Sequence, residues 1–166
     1  RGFGRVEQLD LGDPTAPTLV TRSHFDTGRD FEVMKGKLLR LTVQQEDLSI
    51  FSDQTTAWTV PPVTLYPGTN GTNVVFAHPK GSVTVLKELG RGSEKRLETE
   101  STYDRYGNQT LDANYGIVED GNRSASDDER IVTTEFAVNE DAWLIRHPKR
   151  TQVADEQGAL VSRTEF

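Results

Sequence analysis

The sequence predicts an all-β protein, built as an antiparallel meander of about ten strands with little helix. Three observations support this fold class. Polar and apolar residues alternate along many short runs, threonine and valine are frequent within them, and turns containing glycine or proline separate them at short intervals. No segment has the long apolar stripe of an amphipathic helix, which argues against α/β architectures.

Four runs show the strand pattern most clearly. Residues 3–9 and 82–87 alternate between polar and apolar side chains, and residues 130–136 and 160–166 are rich in β-branched residues. Branching at Cβ restricts rotamers in a helix and suits the pleated surface of a sheet. One helical turn is expected at residues 31–35, ended by Gly36.

Turn-forming residues separate these strands. The predicted turns are Gly12-Asp13-Pro14, Pro61-Pro62, residues 67–71, Pro79-Lys80-Gly81, Gly90-Arg91-Gly92, Tyr106-Gly107-Asn108 and Asp120-Gly121-Asn122. The most polar stretch, residues 119–130, predicts a long exposed hairpin loop. No low-complexity linker divides the chain, so we predict one β-rich domain over residues 1–166.

Length and charge limit the possible functions. The 166 residues include 34% hydrophobic residues and 14 glycines, enough for one domain. A net charge of -7 argues against nucleic acid or an anionic membrane as partners. The absence of cysteine excludes disulfides, thiolate metal sites and cysteine nucleophiles. Because Met34 is the sole methionine and no signal peptide opens the chain, we expect a fragment of a larger protein.

No catalytic, cofactor-binding or metal-binding residue is predicted. The three histidines are His24, His78 and His147. Ser23 next to His24 would point to the opposite face of a strand, so the two cannot pair as nucleophile and base. His78 and His147 each precede a proline, which predicts that they lie at strand ends. A hydrolase would need a pocket gathering two carboxylates or a histidine with a hydroxyl, and no such grouping is visible.

Calcium and sugars are the remaining candidate ligands. Residues 120–128 resemble half of a calcium loop, but Ala125 and Ile131 occupy the positions where an EF-hand needs glycine and glutamate. A solvated loop is the better interpretation. Aromatic residues could form a platform for sugars, although aromatic residues on strands more often pack in the core. They are Trp58, Tyr66, Tyr103, Tyr106, Tyr115 and Trp143.

The most informative segment is residues 100–110. Tyr103 ends a predicted strand, and Asp104 can accept hydrogen bonds from the amides of the turn that follows. Gly107 and Asn108 are residue types that tolerate positive φ in a tight turn. The segment resembles a Tyr-Asp (YD) repeat of the RHS class. We therefore expect Tyr103, Asp104, Gly107 and Asn108 to have a structural role.

Four further segments resemble, in the same order, the middle region of the B component of bacterial insecticidal toxin complexes (Tc toxins) and of SpvB-like toxins. They are residues 1–8 (RGFGRVEQ), 21–28 (TRSHFDTG), 34–40 (MKGKLLR) and 142–150 (AWLIRHPKR). Residues 21–28 depart from the family pattern in two ways: histidine and the aromatic residue appear in swapped order, and Asp26 stands before Thr27-Gly28. In the last segment, His147 takes the place of a more usual apolar residue. The central residues 46–92 match poorly.

The resemblance implies a structural role in a secreted toxin. In Tc toxins, the B component and an RHS-bearing C component form a hollow β-sheet shell around toxic cargo. The resemblance thus implies a non-enzymatic shell segment, whose partners are the rest of its own chain and the C component, without contact to nucleic acid or membrane. The alternative is a glycan- or protein-binding β-domain of a secreted or surface protein. Exposed coplanar rings among Trp58, Tyr66 and Trp143 would favour that alternative, and buried rings would favour the shell.

Overall fold

The computed structural model describes residues 2–88, 93–124, 126, 128–155 and 157–166. Short 3₁₀ turns lie at Glu32–Met34 and Thr69–Gly71. The strands are β1 (Arg5–Asp10), β2 (Leu19–Phe25), β3 (Leu38–Gln45), β4 (Ile50–Trp58), β5 (Val63–Tyr66), β6 (Val74–Phe76), β7 (Pro79–Lys87), β8 (Glu94–Tyr103), β9 (Gln109–Val118), β10 (Arg130–Asn139), β11 (Leu144–Ala154) and β12 (Leu160–Glu165).

Ten of these strands form one antiparallel sheet. Their order is β1-β2-β3-β4-β7-β8-β9-β10-β11-β12, so each strand pairs with its neighbour along the chain except at one point. There, the two-stranded β5–β6 hairpin is inserted between β4 and β7, which pair directly with each other. The prediction of an all-β antiparallel meander of about ten strands with little helix is confirmed.

Local sequence explains several connections between strands. Between β1 and β2, one carboxylate oxygen of Asp13 accepts hydrogen bonds from the Thr15 and Ala16 amides, at 2.7 and 3.0 Å. Between β3 and β4, Asp47 accepts a hydrogen bond from the Ser49 amide at 2.9 Å. Aspartate side chains mimic a backbone turn in this way, which is why they favour hairpin connections. The helical turn expected at residues 31–35 is a single 3₁₀ turn.

Two prolines lie inside strands where the sequence predicted turns or strand ends. Pro79 is the first residue of β7, so the predicted turn Pro79-Lys80-Gly81 is wrong. A proline at the first position of a strand does not cost a ladder hydrogen bond. Pro148 lies within β11, so His147 is not at a strand end. The β10–β11 register shifts between Glu135 and Phe136, opposite Pro148, and this bulge accommodates the residue that has no amide hydrogen.

The loop between β9 and β10 is partly tied to the sheet. A bridge joins Glu119 to Asn122, and the Arg123 guanidinium donates hydrogen bonds to Glu98 at 3.1 Å and Glu100 at 2.9 Å. Three predicted features fall partly or wholly outside the described residues. They are Arg1 of the first motif, the Gly90-Arg91-Gly92 turn, and Ala125 and Asp127 of the calcium-like stretch.

The hydrophobic core is small. Among the described residues, the buried apolar side chains are Val20, Met34, Ala77, Ala113, Tyr115 and Val118. The accessible surface is 11170 Å², whereas a monomer of this size typically exposes about 8,200 Å². The excess of about 3,000 Å² is comparable to a large obligate interface. Within the described part of the chain, no helix is long and apolar enough to cross a membrane.

At Gly81, β7 passes close to the backbone of β8. A Cβ atom at this position would lie 2.1 Å from the Thr99 carbonyl oxygen. We therefore expect Gly81→Ala to destabilise the fold by about 2–4 kcal/mol, lowering Tm by about 5–10 °C in thermal denaturation followed by circular dichroism. The exposed neighbour provides the control, because Lys80→Ala should shift Tm by about 1 °C or less. Equal melting of the two variants would contradict the close approach.

Candidate functional site

The candidate site is the turn between β8 and β9, residues 104–108, which carries the YD motif. The Gly107 amide donates a hydrogen bond to the Asp104 carbonyl at 3.1 Å, and the Asp104 amide donates one to the Asn108 carbonyl at 2.9 Å. Gly107 has a φ of +82°. A type I turn followed by a residue in the left-handed region is a common way to close a hairpin. The turn therefore requires glycine at this position.

The Asp104 carboxylate is the centre of the turn. One oxygen accepts hydrogen bonds from the Tyr106 and Asn108 amides, both at 2.9 Å, and the other accepts one from the Asn108 side-chain amide at 2.8 Å. A carboxylate that accepts three hydrogen bonds fixes the turn more strongly than a neutral acceptor would. Asp104 thus accepts hydrogen bonds from the turn amides, as the sequence predicts.

Asn108 connects the turn to a distant segment. Its side-chain amide also donates a hydrogen bond to the Ile145 carbonyl in β11, at 2.7 Å. The side chain is only 6% exposed, and its two amide hydrogens bind two different acceptors. Asn108 does not have the positive φ that its residue type suggested. Its role comes from the side chain: it joins the β8–β9 turn to β11.

The β5–β6 hairpin covers the turn. The Tyr103 ring lies 4.4 Å from the His78 ring and 5.5 Å from the Phe76 ring, measured between centroids. A Cβ atom on Gly107 would lie 3.3 Å from Leu65 Cδ1 and 3.6 Å from Phe76 Cδ1. Tilted and edge-to-face aromatic contacts of this kind contribute about 0.5–1.5 kcal/mol each. The four YD residues are therefore brought together with a hairpin that lies more than 25 residues earlier in the chain.

Burial changes the ionisation of Tyr103. Desolvation raises the pKa of its phenol above the usual value, and the negative charge of Asp112 acts in the same direction. The phenol therefore stays neutral to a higher pH in the folded protein than in the unfolded chain. This is the ionisation behaviour of a packed structural tyrosine.

The histidines are dispersed over the sheet. His24 lies in β2 and is half-buried, His78 precedes β7 and is half-buried, and His147 lies exposed in β11. His78 contacts the Thr59 hydroxyl at 2.9 Å from Nε2. Across the described ranges, no cluster of three or more histidine or acidic side chains could bind a metal ion.

The aromatic residues that could bind sugars differ in how far they are exposed to solvent. Trp58 is half-buried, and its indole N–H donates a hydrogen bond to the Leu38 carbonyl at 2.9 Å. Tyr66 and Trp143 are 57% and 62% exposed, and their rings are perpendicular, with an interplanar angle of 86°. They therefore form neither the coplanar platform nor the buried pair that the sequence hypotheses required. Trp143 also has a φ of +53°, which costs a bulky residue about 1–2 kcal/mol.

Sequence reasoning missed the β5–β6 hairpin as part of this site. The signal was present, since apolar residues at 63–66 and 74–76 flank a predicted turn at 67–71. Which turn the hairpin covers could not be deduced, because that contact depends on the pairing of β4 with β7 across the insertion.

Solved structures with a similar fold include two of Tc toxins. One is the Photorhabdus luminescens Tc holotoxin pore with a mutated TccC3 component: the TM-score is 0.65 and the identity 14%, over 92% of this chain and 11% of that chain. The other is the crystal structure of TcdB2–TccC3–Cdc42, with a TM-score of 0.61 and 15% identity over the same shares. This chain has the fold of a Tc toxin segment. It spans about a tenth of the chains that it matches.

Comparison of the amino-acid sequence with known families and proteins found no relative. No protein-family model matches the chain, and no curated protein matches it. At 14–15% identity, the likeness to the Tc structures concerns the fold. The roles of individual residues in this chain therefore have to be argued from its own contacts.

The YD turn provides a paired test of packing against backbone strain. Gly107 and Gly121 have nearly the same φ, +82° and +80°, but a Cβ on Gly121 would meet nothing within 4 Å. We expect Gly107→Val to lower Tm by about 6–12 °C and Gly121→Val by about half as much, because both strain the backbone and only the first also displaces Leu65. Unchanged stability of Gly107→Val would show that the turn is not under the hairpin.

Tyr103 provides a pH-dependent test. Its raised pKa means that the folded state binds the phenolic proton more tightly than the unfolded chain does. This stabilisation is complete below a pH of about 10 and is lost as pH rises through the folded-state pKa. The measurement is the free energy of unfolding from urea denaturation at pH values from about 8 to about 11, the range in which tyrosine titrates. As pH rises through this range, we expect this free energy to fall less steeply in Tyr103→Phe than in the wild type. An identical slope in the two proteins would contradict the burial of this phenol.

Proposed function

We propose that this chain is a non-enzymatic segment of the β-sheet shell of a secreted toxin of the Tc type. The shell encloses toxic cargo, and this segment forms part of its wall. Two independent arguments support the proposal: the motif resemblance in the sequence, and the similarity of the fold to Tc toxin structures over 92% of the chain. The partners are then the rest of its own chain and an RHS-bearing C component.

The observation that carries the proposal is the excess of exposed surface on a sheet with two open edges. The accessible area exceeds that of a typical monomer by about 3,000 Å². The end strands β1 and β12 are exposed along their whole length, and each pairs on one side only within the described residues. Open edges are normally blocked in free-standing sheets because they pair with other chains. A wall segment, in contrast, needs both edges for the strands that precede and follow it.

The absence of an enzymatic role is also part of the proposal. It is supported by the distance between the histidines along the sheet, since His24 lies in β2, His78 between β6 and β7, and His147 in β11. In the YD turn, the Asp104 carboxylate accepts three hydrogen bonds, and the Asn108 side-chain amide donates one to Asp104 and one to the Ile145 carbonyl. These contacts are those of side chains that stabilise a turn.

Edge pairing can be tested by placing charge on the end strands. Leu9 in β1 and Leu160 in β12 are exposed, as is Leu86 in β7, which pairs on both sides. We expect the wild-type chain to associate with increasing concentration in sedimentation velocity runs. The double variant Leu9→Lys/Leu160→Lys should weaken this association by about tenfold, because lysine on an edge opposes strand addition.

The matched control is Leu86→Lys, which removes an exposed leucine from an interior strand and should leave association unchanged. A strict monomer at every concentration, or equal weakening by the control, would contradict the open-edge argument.

The toxin class itself is tested by the sequence of the parent gene. We expect it to encode a β-propeller upstream of this segment and further YD repeats downstream, and unrelated sequences on both sides would overturn the proposal.

A further inference from the structure

An open pocket of about 650 Å³ lies beside the YD turn. Three segments contribute to it: the β5–β6 hairpin, the β8–β9 turn and the β10–β11 turn. Its lining includes Leu65, Tyr66, Arg105, Glu140, Trp143 and Ile145. This volume lies in the range of sites for small ligands, which combine apolar walls with a few polar groups that fix orientation.

Two exposed aromatic rings form a corner of the pocket. The Tyr66 and Trp143 rings are perpendicular, with centroids 6.3 Å apart. Perpendicular rings offer a corner to one small ring, whereas coplanar rings offer a flat platform to an extended chain. The backbone of Trp143 is in the left-handed region, where glycine or asparagine is usual at the end of such a turn. A strained backbone position is therefore occupied by a residue whose indole is mostly exposed to solvent.

The polar part of the pocket consists of three side chains that bind one another. The Arg105 guanidinium and the Tyr106 hydroxyl both donate hydrogen bonds to the Glu140 carboxylate, and Arg105 also stacks over the Tyr106 ring at 4.8 Å. The positive charge of Arg105 and the negative charge of Glu140 cancel. What remains for a ligand is a set of hydrogen-bond donors and acceptors with no net charge.

We propose that this pocket binds a neutral saccharide, one pyranose ring lying in the corner between Tyr66 and Trp143. A pyranose has an apolar face of C–H groups, which suits an indole, and a rim of hydroxyl groups, which suits Arg105 and Glu140. The internal ion pair leaves no net charge for an ionic ligand, and the overall charge of -7 disfavours acidic sugars. The site is separate from the shell role and does not depend on it.

The test uses the two indole N–H resonances of the ¹⁵N-labelled chain, since Trp58 and Trp143 are the two tryptophans. The resonances are assigned from Trp58→Phe and Trp143→Gly. The probes are lactose, cellobiose and N,N′-diacetylchitobiose, with 3′-sialyllactose as the anionic counterpart of lactose. We expect at least one neutral disaccharide to shift the Trp143 resonance saturably, with a Kd of about 1 mM, without moving that of Trp58.

Two variants separate binding from folding. Trp143→Gly removes the indole and also relieves the backbone strain, so its Tm should not fall. Its binding, followed through backbone amide shifts, should weaken about three- to tenfold, which corresponds to the loss of one stacking contact. Tyr66→Leu keeps an apolar residue on β5 and should weaken binding while preserving the fold. Trp58→Phe is the matched control and should bind as the wild type does.

Three results would overturn the proposal. The first is the absence of any Trp143 shift with all three neutral disaccharides up to about 20 mM. The second is equal or tighter binding of 3′-sialyllactose relative to lactose. The third is a tighter response to the peptide Gly-Leu-Gly than to every disaccharide, which would assign the corner to an apolar side chain of a protein partner.

Discussion

Backbone pairing between strands that follow one another in the chain is the constraint on which the rest of this structure depends. The sheet has ten strands, but the described residues bury few apolar side chains. A core of that size cannot position ten strands by itself, so the register has to come from the ladders and from the turns that begin them. Each turn fixes where the next strand starts, and errors in one turn would be transmitted to every strand after it.

The YD turn shows how such a point is stabilised. Asp104 closes the turn from within, Asn108 joins it to β11, and Tyr103 joins it to the β5–β6 hairpin. Three segments that are far apart in sequence therefore meet at five consecutive residues and their flanking strand. A wet sheet with little core has few such places. The YD turn is one such place, and a second is the buried cluster of Ala113, Tyr115 and Val118 on β9.

Sequence patterns predicted the strands well because period-two alternation and β-branched residues report directly on a pleated surface. The local chemistry of the turn was also accessible: the residue types at 104 and 107 indicate an aspartate acceptor and a left-handed glycine. The contacts between residues far apart in the chain could not be predicted. Nothing in the local sequence of Asn108 indicates that its side chain reaches Ile145, and nothing around Phe76 indicates that it contacts Tyr103. The predictions from Pro79 and Pro148 were wrong, because proline, which is usual in turns and at strand ends, is also accommodated at the first position of a strand and opposite a β-bulge.

The insertion of the β5–β6 hairpin has a mechanical consequence. Because β4 pairs directly with β7, the residues from 59 to 78 lie outside the main ladder. Tension applied across the sheet passes from β4 to β7 through their own hydrogen bonds and bypasses the hairpin. The hairpin that covers the YD turn therefore does not carry tension that is applied across the sheet, and the register of β4 against β7 does not depend on it.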